Sequence, residues 1–155
     1  MFCLKCVNCR RKGKQMSRSI YVAGGLTIAP PRFKDFLCAV VFAFETRVEV
    51  NRFFSLEILR NPSINGQNRY LFNEGQVLAS GVLVAFCDYA STGMGQEIEK
   101  AHGAGKDIIL LHKPNSHPAL MLLDFAATFK YPIIRYTNAE PISDIVSRVL
   151  AELNK

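Results

Sequence analysis

At 155 residues, 49% hydrophobic and 21% charged, the chain has length for one domain and apolar material for one core. Its longest apolar run, residues 36–44, lies between Asp35 and Glu45 and falls far short of the ~20 residues that span a bilayer, which excludes a transmembrane helix. The net charge of +6 sits wholly in residues 1–18, where Lys5, Arg10, Arg11, Lys12, Lys14 and Arg18 meet no acid. The other 13 of the 19 basic residues balance the 13 acids, so the excess does not describe a nucleic-acid-binding surface on the body of the protein.

Residues 1–18 therefore read as a basic, Cys-containing tail, expected to be disordered and able to attract RNA, DNA or anionic lipid only weakly and in a salt-sensitive way. Met16 opens a plausible alternative start, MSRSIYVAGG. The opening residues carry no apolar h-region, so no secretory signal is expected, and the odd number of cysteines points to a reducing, cytoplasmic location. Cys3, Cys6 and Cys9 form C-x2-C-x2-C, which supplies three thiolates where a closed tetrahedral zinc site needs four ligands; no metal is expected. Cys38 and Cys87 lie inside apolar runs and read as small buried hydrophobes.

The domain itself is expected over residues 19–155. Residues 19–23 (SIYVA) form a short β-rich run that ends at Gly24-Gly25. Pro30-Pro31 opens a helix in which Phe33, Phe36, Leu37, Val40, Val41 and Phe44 recur on one face. Residues 47–50 suit a short strand, and residues 51–68 show only turn signals at Asn61-Pro62 and Asn65-Gly66. A helix is expected over residues 70–80, and residues 81–87 (GVLVAFC) form a continuous apolar strand of the kind buried on both faces. Residues 88–93 read as a loop, and the helix after it runs to about Gly103. Residues 107–112 (DIILLH) are a second fully apolar strand, 118–128 a helix, 131–136 a last strand, and 142–153 a closing amphipathic helix. Strands alternating with helices imply a three-layer α/β domain of flavodoxin-like, Rossmann-like type, with a mostly parallel sheet of about five strands.

In such sheets ligands bind where strand carboxyl ends run into loops. Two of these exits are glycine-rich: Gly24-Gly25, and Gly93-Met94-Gly95 beyond the apolar strand. Neither is a named phosphate motif. The second lacks the third glycine of the dinucleotide fingerprint, and Gly105-Lys106 lacks both the earlier glycine and the Ser or Thr of a P-loop, so no NAD or ATP cofactor is expected. Glu97 is the anomaly. Met94, Glu97, Ile98 and Ala101 share one helical face, which turns a carboxylate inward, and the reading places it in the first helical turn, where the dipole favours its ionised form. An inward carboxylate beside glycine-lined loops suits a nucleophile or a cation stabiliser. His102, His112 and His117 form no arrangement with a chemical signature.

The series IYVAGG (20–25), VLVAF (82–86), STGMGQE (91–97) and A-x3-GK-D-IILL (101–111) resembles the nucleoside 2-deoxyribosyltransferase family, which includes deoxynucleoside 5′-monophosphate N-glycosidases. The resemblance implies cleavage or transfer at the N-glycosidic bond of 2′-deoxynucleosides or their 5′-monophosphates through a covalent glutamyl-deoxyribosyl intermediate. It implies no cofactor, a small-molecule substrate and a homo-oligomeric assembly. It makes Glu97 the nucleophile and Tyr21 the residue that orients it, and it places Gly24, Gly25, Asp88, Ser91, Gly93 and Gly95 around the substrate. One position departs from the pattern: Asn73 stands where the family carries an aspartate. Because an amide is no general acid, Glu74 or Asp88 is expected to take that role, or the site is weakened towards a nucleotide-binding protein.

Overall fold

A computed structural model describes residues 19–155, and the expectations about the tail lie outside them. Five strands form one wholly parallel sheet: β1 (Ile20–Gly24), β2 (Val50–Asn51), β3 (Val82–Phe86), β4 (Asp107–His112) and β5 (Ile133–Arg135). Their order is β2-β1-β3-β4-β5, the flavodoxin-like arrangement. The sheet has this order because each connection is a helical crossover, and right-handed crossovers put successive helices on opposite faces when the chain reverses direction across the sheet. The α/β expectation holds, and the sheet is parallel throughout.

Helix α1 (Pro31–Glu45) starts with a proline at its first position, where no intrahelical partner is needed. It buries Phe33, Leu37, Val40, Val41 and Phe44 and packs against α6 (Ile142–Glu152), whose Ile145, Val146 and Val149 face inward. On the opposite face α3 (Arg69–Ala79) lies beside α4 (Thr92–Gly103), and α5 (Leu120–Phe129) links β4 to β5. β3 is buried at every position and β4 at all but its first residue, as expected of strands covered on both faces.

The stretch 51–68, which shows only turn signals in sequence, contains α2 (Phe54–Arg60) and a 3-10 turn at Pro62–Gly66. The helix is only seven residues long, too short for its periodicity to stand out; tertiary burial of Phe53, Phe54, Leu56 and Ile64 holds the segment in place. The strand expected at 47–50 shifts to a two-residue pairing, Val50–Asn51, on the edge of the sheet. Cys87 is buried, but Cys38 is only half-buried, against expectation, because it lies at the border of the α1 apolar face. Among the described residues no helix is long and apolar enough to cross a membrane.

Candidate active site

The site lies at the β1/β3 switch point, where the order of strands reverses. Tyr21 is the second residue of β1, paired in register with Leu83 of β3, and its side chain is fully buried. α4, which follows β3, carries Glu97 on the same apolar face as Met94, Ile98 and Ala101, all three of them buried. α3 brings Asn73 alongside. The Tyr21 hydroxyl donates to Glu97 Oε1 at 2.9 Å, and Asn73 Nδ2 donates to the same oxygen at 3.0 Å. The residues that the sequence puts 76 and 24 positions apart from the carboxylate thus converge on one atom.

Both donors go to Oε1, and Oε2 makes no hydrogen bond among the described residues. Glu97 lines a cleft of about 210 Å³ between α3 and α4, with Arg69, Tyr70, Asn73, Glu74, Gly93, Gln96 and Lys100. One carboxylate oxygen is therefore pinned and the other is open to the cleft. Burial raises the Glu97 carboxyl from its usual 4.5 to about 7, against the opposing pull of the hydrogen bonds from Tyr21 and Asn73. Burial, with the nearby Glu97 carboxylate, likewise pushes the Tyr21 phenol well above its usual 10, so it stays a donor at every physiological pH.

Asn73 has a defined amide orientation. Its Oδ1 accepts from the backbone N–H of Phe54 at 2.8 Å, which leaves Nδ2 to face Glu97. The α2 segment thereby sets the rotamer of a site residue. Its short helix has no legible sequence signal, so the Phe54 backbone contact is a feature of the candidate site that sequence reasoning misses.

Other expected residues fall elsewhere. The Ser91 hydroxyl caps α4 by accepting from Met94 N at 3.4 Å, which starts the helix at Thr92 rather than after Gly93. Glu97 is consequently in the second turn, not the first, and the helix dipole supports its charge less than expected. The same count puts Met94 three residues after the cap, where a capping box would carry Glu or Gln.

Gly24 and Gly25 do not line the cleft. A Cβ at Gly24 would press into Leu37, and one at Gly25 would run into the backbone carbonyl of Tyr89 closer than any real Cβ contact. Gly24 thus makes room for α1, and Gly25 lets the loops after β1 and β3 touch. Gly93 does line the cleft, whereas Gly95 is half-buried within α4 and does not.

Neither expected substitute acid is free. Glu74 lines the cleft but is ion-paired to Lys100. Asp88 is buried behind the sheet end, where Tyr136 donates its hydroxyl to one oxygen and Lys113 N donates to the other at 2.7 Å. Burial and the bond to Asp88 raise the Tyr136 phenol, so that hydroxyl keeps its proton. Among the described residues no group of three His, Cys, Asp or Glu side chains could hold a metal.

The fold and site together define a doubly wound α/β domain with a partly buried, hydrogen-bonded carboxylate at its switch point. No protein-family model matches the chain, and no curated protein sequence does. Among solved structures, a CMP N-glycosidase from Clostridium botulinum, BcmB, is similar with a TM-score of 0.58 and 16% identity, over 87% of this chain and 99% of that one. The likeness shows a shared fold.

Proposed function

We propose that the chain breaks the N-glycosidic bond of a nucleoside or nucleotide, with 2′-deoxynucleosides or their 5′-monophosphates as substrates and Glu97 as the nucleophile. The observation that carries this reading is the asymmetric Glu97 carboxylate, pinned at Oε1 and open to a cleft at Oε2. The similarity in fold to a protein named as a CMP N-glycosidase supports the reaction class.

In this reading ionised Glu97 Oε2 bonds to C1′ of the sugar as the C1′–N bond breaks. The electron pair of that bond leaves with the base, which takes up a proton as it departs. Water or a second base then displaces the carboxylate from C1′. A carboxylate nucleophile divides one difficult displacement into two easier steps through cation-like states. The absence of an electron-withdrawing 2-hydroxyl makes that cation easier to form on a deoxy sugar. Tyr21 and Asn73 hold the attacking group in one rotamer and stabilise its charge, and because the carboxyl titrates near 7, the attacking form is well populated at neutral pH.

Because CMP carries a ribose, the decisive assay offers both sugars. Purified protein is incubated with deoxy- and ribonucleosides and their 5′-monophosphates, and free base is measured by chromatography. Glu97→Ala should lower base release by ~10³-fold or more while remaining folded. A folded Glu97→Ala protein with wild-type turnover would remove Glu97 from the mechanism. A second reading, a nucleotide-binding protein that has lost turnover, draws on the amide at position 73. It prevails if the wild type releases no base yet binds a nucleotide by calorimetry.

A further inference from the structure

The cleft carries one cation that forms no ion pair among the described residues. Lys100 is spoken for by Glu74, whereas Arg69 makes no ion pair among the described residues. Arg69 stands at the first position of α3 and lines the cleft, its guanidinium carbon 5.4 Å from the centre of the Phe54 ring. Stacking on an aromatic face holds a guanidinium in place while leaving the N–H groups on its edge free to donate.

The position of Arg69 along the helix is what gives it meaning. It precedes Asn73 by four residues, so the two lie on one face of α3, about 6 Å apart along the axis. Across the cleft Gly93 precedes Glu97 by the same four residues and presents no side chain. One helical turn above the Glu97–Asn73 pair there is thus a free cation facing an unfilled space. That offset is comparable to the span of a pentose from its anomeric carbon to its 5′ substituent. With C1′ at Glu97 Oε2, a sugar lying along the cleft brings its 5′ group to Arg69.

We propose that Arg69 binds the 5′-phosphate of a nucleoside monophosphate, and that the cleft selects monophosphates over free nucleosides. The proposal rests on the reading of Glu97 given above and deepens it. A guanidinium suits this task because its planar fork donates two parallel hydrogen bonds to phosphate oxygens. An uncompensated cation gives nothing to a neutral 5′-hydroxyl that an amide could not also give.

The test compares dCMP, dAMP, CMP and AMP with their nucleosides in the full-length protein. The expected ratio of kcat/KM, monophosphate over nucleoside, is about 10 to 100, the scale of charge-assisted hydrogen bonds. Arg69→Gln should reduce that ratio by ~10-fold or more, mainly through KM, and Arg69→Lys should retain part of it. Calorimetry on the Glu97→Gln protein provides a readout that needs no turnover: monophosphates should bind more tightly than nucleosides, and Arg69→Gln added to it should remove the difference. A wild type that treats both substrates alike overturns the proposal. So does an Arg69→Gln loss that falls equally on both, which would mean that Arg69 serves only to pack Phe54. If no substrate releases base but the Arg69-dependent binding preference persists, the catalytic reading fails and the phosphate site stands.

Discussion

Glu97→Gln should make the protein more stable, by an amount that grows as the pH rises from 4.5 to 7 and levels off above neutrality. The sign follows from linkage. The carboxyl titrates at about 7 in the fold against 4.5 when free, so between those values the unfolded chain releases a proton that the folded one keeps. A group raised in this way contributes its full stability below 4.5 and loses it as the pH climbs through 7. At pH 8 the fold must hold a buried charge, which lowers stability by about 3 kcal/mol at about 1.4 kcal/mol for each pH unit of displacement. Glutamine avoids this loss while its carbonyl oxygen still accepts from Tyr21 and Asn73. The expected gain over wild type is 2–3 kcal/mol at pH 8, roughly 5–10 °C in Tm for a chain of this size, shrinking below ~1 kcal/mol at pH 5. Urea denaturation of both proteins at the two pH values measures it. A pH-independent difference, or a variant less stable than wild type at pH 8, would refute the claim that Glu97 is held charged against its burial.

Tyr21→Phe removes one of the two donors that favour the ionised carboxylate, so the acidic limb of the pH–rate profile for base release should move up by about one to two pH units, with activity recovering in alkali; a loss of rate equal at all pH values would contradict this. Asn73→Asp keeps one oxygen on Phe54 N and turns the other towards Glu97 Oε1, so the two carboxyl groups should share a proton, the profile should acquire a step above 7, and the rate at pH 8 should fall. A gain of ~10-fold at pH 8 would instead show that an acid at 73 is what the site lacks. Gly25→Ala forces a Cβ into the Tyr89 carbonyl and should destabilise the protein by about 1–3 kcal/mol in chemical denaturation, whereas a neutral outcome would mean the β1 and β3 loops can part freely.

The amphipathic spacing from Phe33 to Phe44, the unbroken apolar runs at 82–86 and 108–111, and the spacing of Ile145, Val146 and Val149 are local patterns. Because burial on a helix or strand repeats with the period of that element, they determine where the elements lie and that the sheet is parallel. The same periodicity turns Glu97 inward and marks it as anomalous before any contact is known. Its surroundings have no such period. That Tyr21 and Asn73 donate to one oxygen of Glu97, that Asn73 is oriented by the Phe54 backbone, and that Asp88 is occupied by Tyr136 and Lys113 are contacts across 19 to 76 residues of chain. Gly24 and Gly25 look alike in sequence to glycines that cradle a ligand, and only the approach of Leu37 and Tyr89 shows what they make room for. The boundary of α4 was open for a related reason: Ser91 and the residues after it can all begin a helix, and the Ser91 hydroxyl on Met94 N decides the start and with it the turn on which Glu97 falls. Sequence determined which carboxylate turns inward, because burial periodicity is local. Tertiary structure decided which of its oxygens is hydrogen-bonded and which is left open, because hydrogen-bond partners are chosen by proximity in space.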